Sequence, residues 1–144
     1  MKTPRILKIT SGNEKKAIRE AAGVLRRGAL VVIPTETVYG VAAFPEAPGA
    51  VDLLFEAKGR DRDKPIPLMA ADLNAVEEYG ALLSDAERRL AEQFWPGALT
   101  LVLPVGAHSE GFRVPDHRVA RLLLEEMGGV LRVTSANLSG EPPA

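Results

Sequence analysis

The apolar positions of the chain fall into short runs, and their spacing predicts an alternation of helices and strands. From Asn13 to about Arg27, apolar residues recur every three or four positions, which is typical of an amphipathic helix that Asn13 caps and Gly28 ends. The continuous apolar run Ala29–Ile33 is typical of a buried strand. Further helices are predicted at about Gly49–Ala57, Leu73–Tyr79, Ser84–Phe94 and His117–Met127, and further strands at Pro67–Ala70, Leu99–Leu103 and Val130–Val133.

Helix-capping signals support this series of elements. Ser84 and Glu87 form the Ser-x-x-Glu pattern of a capping box, and Asp116 is the predicted cap of the last helix. Short strands and helices that alternate along a chain predict a layered α/β (α+β) structure. We therefore expect one domain over residues 1–144, without an internal linker or a repeat.

Two of the predicted strands run directly into polar segments. Ile33 is followed by Pro34–Gly40, and Val133 is followed by Thr134–Gly140. Because ligands of open α/β sheets bind beyond the carboxyl ends of the strands, these hydroxyl-rich segments predict a binding site. The alternative is that each segment is only a turn whose side chains cap the local backbone.

A basic segment, Lys58–Pro65, places four cations at every second position. If this segment is extended, the four side chains share one face and suit the oxygens of phosphate groups. The alternative is a solvated loop in which two interleaved aspartates neutralise the cations. We expect the basic segment and the two polar segments to form one site for a nucleotide and a small substrate. The cations are Lys58, Arg60, Arg62 and Lys64.

The composition narrows the chemistry. The chain has 18 basic and 19 acidic side chains and a net charge of -1, which predicts no overall attraction to nucleic acid or to a membrane. The absence of cysteine excludes disulfides, thiolate nucleophiles and iron–sulfur clusters. The two histidines, His108 and His117, have no metal-ligand spacing, and no P-loop or dinucleotide-binding glycine motif occurs. We expect no covalent nucleophile and no metal site formed by protein side chains.

The amino terminus contains no apolar stretch typical of a signal peptide. No apolar run approaches the roughly 18 residues that a membrane-spanning helix needs. We therefore expect a cytoplasmic protein without membrane contact.

Six ordered segments spread over nearly the whole chain form a pattern that is known from a protein family. They are Pro34–Gly40 (PTETVYG), Phe55–Arg60 (FEAKGR), Lys64–Pro65, Phe94–Gly97 with Leu99–Leu103 (FWPG and LTLVL), Arg113–His117 (RVPDH) and Thr134–Gly140 (TSANLSG). Each segment alone is a weak signal, but all six in this order are specific. The chain resembles the YrdC-like threonylcarbamoyl-AMP synthase family.

The resemblance implies a YrdC/RibB-like fold, a twisted mixed β-sheet flanked by helices with a concave basic groove. It also implies a nucleotidyltransferase activity in which L-threonine, bicarbonate and ATP become threonylcarbamoyl-adenylate and pyrophosphate. ATP is then a substrate and Mg²⁺ accompanies it. A separate transferase passes the threonylcarbamoyl group on to tRNA. Such a transfer needs positioning and charge neutralisation more than a protein nucleophile.

The same resemblance assigns residues to the two substrates. Thr37 and Arg113 would hold threonine, with Arg113 as the partner of its carboxylate. Met69 and Val133 would shape the threonine pocket. Ser109 lies in Gly106–Gly111, which we expect to be a loop. The residues assigned to ATP are Lys58, Arg60, Lys64, Ser109, Ser135 and Asn137.

The chain departs from the family pattern after Gly140. Family members continue with strands that complete the sheet and the nucleotide pocket, so we expect this domain to lack that completion. An uncovered strand edge favours pairing between chains, which predicts a homodimer. One alternative function stays open, a non-catalytic module that binds double-stranded RNA or tRNA. A carbamoyl-transfer domain such as that of hydrogenase maturation proteins is disfavoured, because the given sequence contains no zinc-finger or acylphosphatase-like segment.

Overall fold

The structure, a computed structural model, describes residues 9–10, 12–59 and 63–136. It contains five helices and six strands in these ranges. The helices are α1 (Glu14–Arg26), α2 (Ala50–Lys58), α3 (Leu73–Tyr79), α4 (Asp85–Phe94) and α5 (Arg118–Glu126). The strands are β1 (Val31–Ile33), β2 (Gly40–Ala43), β3 (Leu68–Ala70), β4 (Leu101–Val105), β5 (His108–Arg113) and β6 (Val130–Ser135).

The six strands form one mixed sheet in the order β1-β2-β6-β3-β5-β4. Only β3 and β5 run parallel, and all other neighbours are antiparallel. Strand β2 pairs Gly40 with Ile33 on one side and with Ser135 on the other. The carboxyl ends of β1 and β6 therefore lie at the same edge of the sheet, and the polar segments that follow them meet there.

Helices cover both faces of the sheet. Side chains of successive strand residues point to opposite faces, so a single strand contributes to the apolar core on each side. In β2, Ala42 belongs to the apolar core under α1 and α5, whereas Ala43 belongs to the core under α2. A third core, around Phe112, lies under α3 and α4. The sheet is thus the middle layer of three, with α1 and α5 on one side and α2, α3 and α4 on the other.

The packing of α1 on α5 rests mainly on apolar burial. Leu25 and Leu124 are both fully buried there, and complete burial of such a side chain contributes about 1.5–3 kcal/mol. The helices are also joined by an ion pair between Arg118 and Glu14 at the surface. Because an exposed ion pair contributes at most about 1 kcal/mol, the apolar contacts dominate the stability of this helix pair.

Most of the predicted elements are confirmed, and the best match is at α3 and α4. The predicted helix Leu73–Tyr79 has these bounds, and Gly80 ends it in the left-handed conformation. The capping box is formed: Ser84 Oγ accepts the backbone N–H of Glu87, and the Glu87 carboxylate accepts that of Ser84. The single mixed sheet with flanking helices is also confirmed in the described residues.

Two predictions about local structure are wrong, and one strand was missed. The cap of α5 is His117 and not Asp116, since His117 Nδ1 accepts the backbone N–H of Ala120 at 3.4 Å. The expected loop Gly106–Gly111 is mostly strand, because β4 and β5 form a hairpin that turns at Gly106. Strand β2 was not predicted.

In the described part of the chain, no helix is long and apolar enough to cross a membrane.

Candidate functional site

A cavity of about 220 Å³ lies at the edge of the sheet where β1 and β6 end. Met69 and Val133 contribute to its wall and also belong to the core beneath α1 and α5, so this wall is fixed by packing. The strand register places Met69 beside Arg113 and Gly40 beside Ser135. The cavity is lined by Thr35, Val38, Gly40, Pro67, Leu68, Met69, Thr100, Arg113, Val133, Thr134 and Ser135.

Gly40 allows β2 to pack closely against β6 beside the cavity. A Cβ atom at this position would lie 2.6 Å from Val133 Cγ1, which is too close for any real contact. A larger residue would push the side chain of Val133 or the strand itself out of place. The glycine of the PTETVYG segment is therefore a requirement of close packing between β2 and β6.

The loop between β1 and β2 is organised by the hydroxyl of Thr35. Its Oγ1 accepts the backbone N–H groups of Thr37 at 3.3 Å and Val38 at 3.2 Å, and it donates to the carbonyl of Val38. The backbone of this loop does not pair with a strand, so such side-chain hydrogen bonds satisfy its polar groups and fix a turn. The turn presents the side chains of Glu36 and Thr37 toward β5.

Arg113 is the charged group of the cavity. Its Nε donates to the carbonyl of Gly97 at 3.1 Å, and its Nη2 lies 3.3 Å from Thr37 Oγ1. The same Nη2 donates to Glu36 Oε1 in an ion pair, while Glu36 Oε2 accepts the backbone N–H of Asp116. Burial lowers the pKa of Arg113 from its ordinary value. The three acceptors replace only part of the water that the guanidinium has lost.

The turn Phe94–Gly97 anchors Arg113. The Trp95 indole donates to the carbonyl of Leu99 at 2.7 Å, and the backbone N–H of Gly97 donates to the carbonyl of Val114 at 2.8 Å. A Cβ atom at Gly97 would lie 2.4 Å from the Phe94 carbonyl oxygen, so this turn requires glycine. The carbonyl that holds the guanidinium is thus fixed by hydrogen bonds on both sides.

Lys58 connects the basic segment with the third polar segment. Its side chain is only 4% exposed, and its Nζ donates to the carbonyl of Ser135 at 2.7 Å. The backbone N–H of Ala136 donates to the carbonyl of Tyr39 at 2.9 Å. These bonds bring the start of the basic segment and the loops after β1 and β6 together at one edge.

The expectation of an extended basic face is wrong at its first residue. Lys58 is the last residue of α2, and Gly59 ends that helix in the left-handed conformation. Lys64 is exposed beyond it. Arg60 and Asn137, both assigned to ATP from the resemblance, lie outside the described residues.

Ser109 lies in a second cavity and not in the first. This cavity, of about 290 Å³, is lined by α2 and by β5 and includes Phe55 and Arg132. The structure therefore places Met69, Arg113, Val133 and Ser135 in the lining of the first cavity, with Thr37 beside Arg113 and Lys58 beside Ser135, and leaves Ser109 apart.

The second cavity contains a buried ion pair. Arg132 donates from both terminal nitrogens to the carboxylate of Glu110, at 2.7 and 2.8 Å, and also to the carbonyl of Ile66 at 2.8 Å. His108 Nε2 lies 3.2 Å from the same carboxylate. Hydrogen bonds from Arg132 hold the pKa of Glu110 below its ordinary value, and Glu110 raises that of Arg132.

Several groups of the first cavity were not assigned from the sequence. Glu36 belongs to the segment PTETVYG, and its position as the one acid between two threonines was the available signal. The Gly97 carbonyl and the Asp116 N–H are backbone groups, which side-chain patterns do not reveal. Thr100 and Thr134 also line the cavity.

The arrangement suits a small anionic molecule in the cavity, with a second anionic group beside it whose charge the basic segment neutralises. It offers one guanidinium, several hydroxyls and an apolar wall. Among the residues that the structure describes, no group of three or more acidic or histidine side chains is placed to hold a metal ion. The fold is that of an α/β domain built on a mixed sheet, with a cavity where β1 and β6 end.

Comparisons with known proteins identify the family. The Sua5–YciO–YrdC family model, described as telomere recombination, matches residues 23–144. Threonylcarbamoyl-AMP synthase of Bacillus subtilis is 39% identical over 87% of this chain. That of Chromohalobacter salexigens is 37% identical over 88% of this chain, which spans 73% of that protein. The crystal structure of Pyrococcus abyssi Sua5 complexed with L-threonine has a TM-score of 0.83 and 39% identity over 95% of this chain.

The chain therefore belongs to the Sua5/YrdC family. It spans 39% of the Bacillus subtilis protein and 42% of the Pyrococcus abyssi chain, so these relatives are more than twice as long as the part that matches. The similarity includes the whole described sheet and both polar segments at its edge, since the family model extends through β1 to β6.

Proposed function

We propose that this domain binds L-threonine and ATP and forms threonylcarbamoyl-adenylate, as a threonylcarbamoyl-AMP synthase. One observation carries the proposal: Thr37 and Arg113 come within 3.3 Å of each other at a cavity of a chain that is 39% identical to a relative solved with L-threonine. These residues come from strand-end segments that are 76 positions apart in sequence. Their meeting at an open cavity is what a substrate site needs.

Threonine fits the chemistry of the cavity. Its carboxylate is a partner for the guanidinium of Arg113, which is only 16% exposed and therefore interacts strongly. Its hydroxyl would meet the hydroxyl of Thr35 in the cavity lining or that of Thr37 beside Arg113, and its methyl group would meet the apolar wall of Met69 and Val133. The volume of about 220 Å³ accommodates a small amino acid with room for the carbamate that forms on its nitrogen.

The phosphates of ATP would lie on the side of Lys58 and Ser135. Lys58 and the exposed Lys64 supply positive charge, and Ser135 supplies a neutral hydroxyl. Arg60 and Asn137 belong to the same proposal through the family pattern alone. Mg²⁺ would be bound mainly by the ATP phosphates, because the described residues form no acidic cluster for it.

The proposed reaction needs no protein nucleophile. Bicarbonate and the threonine amine give a carbamate and water, and a carbamate oxygen then attacks the α-phosphorus of ATP. The bond from the α-phosphorus to the bridging oxygen breaks, and pyrophosphate leaves. The protein contributes positioning and charge neutralisation, which are the main sources of catalysis in such transfers. A separate transferase would then deliver the threonylcarbamoyl group to tRNA.

Pyrophosphate release tests the activity. Release from ATP should require both L-threonine and bicarbonate, and serine should replace threonine poorly because it lacks the methyl group that meets Met69 and Val133. Release that is independent of threonine would reject the synthase proposal. The proposed homodimer is tested separately by sedimentation at increasing concentration.

A further inference from the structure

The guanidinium of Arg113 already holds a carboxylate, and this carboxylate belongs to the protein. Glu36 Oε1 accepts from Arg113 Nη2, and Glu36 Oε2 accepts from the backbone N–H of Asp116. We call these two donors the carboxylate site. A guanidinium N–H paired with a backbone N–H is a favourable arrangement for any carboxylate. The side chain of Glu36 therefore occupies donors that the carboxylate of a bound amino acid would use.

The two partners of this ion pair are held in different ways. Arg113 ends β5, and the Gly97 carbonyl holds its Nε independently of Glu36. Glu36 lies in the loop between β1 and β2, where the Thr35 hydroxyl provides the local bonds. The Glu36 side chain is 22% exposed. The guanidinium thus stays in place when the carboxylate leaves, and water is at hand to receive it.

We propose that Glu36 is an internal competitor for the carboxylate site and that it determines which ligands bind there. The inference rests on the proposed function, because it treats Arg113 as the partner of a ligand carboxylate. A simple carboxylate such as acetate only exchanges one carboxylate for another and gains little. A threonine carboxylate displaces Glu36 because the same molecule also contacts Thr37 and the apolar wall of the cavity. Glu36 in this way selects amino acids against simple anions.

The opposite role for Glu36 would be to position Arg113 for the ligand. The two roles predict opposite changes in threonine affinity when Glu36 loses its charge. If Glu36 positions the guanidinium, removal of its charge weakens threonine binding. If Glu36 competes, removal strengthens binding, because the binding-competent fraction of the protein rises. The anchor on Gly97 favours competition, since the arginine has a second support.

Glu36→Gln is the test variant, since it keeps the shape of the side chain and removes its charge. Glu46→Gln is the matched control, because Glu46 lies exposed in the turn between β2 and α2 and its change alters the net charge equally. Calorimetric titration with L-threonine should show a Kd lower by about three- to tenfold in Glu36→Gln and unchanged in Glu46→Gln. Acetate should bind measurably only to Glu36→Gln. An unchanged or higher threonine Kd in Glu36→Gln would overturn the proposal.

A second measurement needs no threonine. Phenylglyoxal modifies accessible guanidinium groups, and peptide mapping reports the rate at Arg113 alone. The rate of Arg113 modification should be several-fold higher in Glu36→Gln than in the protein without substitutions. In Glu46→Gln the rate should equal that of the protein without substitutions. Equal rates in all three proteins would overturn the competition. A faster rate in Glu36→Gln together with no threonine binding in any protein would support the competition and reject threonine as the ligand.

Discussion

Two arginine–glutamate ion pairs in this chain have arginines of similar burial but differ in construction. Glu110 and Arg132 both lie on strands of the sheet, and Arg132 makes two hydrogen bonds to the carboxylate at 2.7 and 2.8 Å. Arg113 also lies on a strand, but its partner Glu36 lies on a loop and meets only one of its terminal nitrogens. The side chains of Arg132 and Arg113 are 17% and 16% exposed. Burial alone therefore does not separate a structural pair from a functional one.

The pKa values of the two arginines also shift in opposite directions. The pKa of Arg132 is raised because Glu110 stabilises its charged form, whereas that of Arg113 is lowered by burial. A pair in which each partner satisfies the other has little to gain from a ligand. A buried guanidinium whose partner lies on a loop gains more from binding a ligand. We infer that the Arg132 pair maintains the sheet and that the Arg113 pair belongs to the binding site.

The largest effect is expected from breaking the pair within the sheet. Arg132→Met leaves the Glu110 carboxylate, which is 10% exposed, without its main partner. Removal of one partner of a buried ion pair costs about 3 kcal/mol. Chemical denaturation should show this loss in the free energy of unfolding. Arg88→Met is the matched control, since its partner Glu77 is at the surface, and it should change stability little. Equal losses in the two variants would contradict a structural role for the Arg132 pair.

Breaking the other pair should affect binding more than stability. Arg113→Met removes the charge that we assign to the threonine carboxylate, and a hydrogen bond to a charged group is worth about 2 kcal/mol, or roughly 30-fold in affinity. Titration with L-threonine measures this change, and denaturation of the same variant measures stability. A variant that binds threonine normally would remove Arg113 from the site.

A smaller effect is expected from the turn that anchors Arg113. Gly97→Ala forces the new Cβ atom against the Phe94 carbonyl oxygen, 2.4 Å away, so the turn and the carbonyl that holds Arg113 must shift. Threonine affinity should fall by about tenfold, since misplaced contacts lose much of their strength. Gly23→Ala in α1 is the matched control, because its Cβ meets only an ordinary contact at 3.5 Å, and it should leave binding unchanged. Equal affinity in both variants would contradict the anchoring role.

The smallest effect concerns pH. The pKa of Glu110 is held below its ordinary value of 4.5 by Arg132. A lowered pKa in the folded state adds stability that is complete above the pKa of the unfolded chain and is lost as the pH falls through the folded value. Thermal unfolding between pH 7 and pH 3 should therefore show a steeper fall for the unmodified protein than for Glu110→Gln. Parallel curves would show that the Glu110 pair contributes no such term.

The sequence predicted α3 and α4 well because their end signals are local. Gly80 gives α3 a definite end, and Ser84 with Glu87 gives α4 a definite start. Strand β5 was missed because it contains the charged residue Glu110. Its burial depends on Arg132, which lies 22 positions further along the chain. Local patterns do not reveal such a partner.

The candidate site was predicted in part for the same reason. Motif resemblance placed Thr37 and Arg113 in one pocket, and the structure puts them 3.3 Å apart. It did not assign Glu36, whose role depends on how a loop meets a distant strand. Nor did it reveal the Gly97 carbonyl, because any residue type carries that group. The contacts that distinguish the two ion pairs are thus properties of the tertiary structure.

The central claim is that Arg113 binds the carboxylate of threonine. Calorimetric titration of the unmodified protein with L-threonine and with L-threoninol tests it directly, because threoninol keeps the amine, the hydroxyl and the methyl group and carries an uncharged hydroxymethyl group in place of the carboxylate. We predict saturable binding of threonine and a Kd for threoninol at least roughly 30-fold higher. Equal affinity for the two ligands, or no binding of threonine, would contradict the claim.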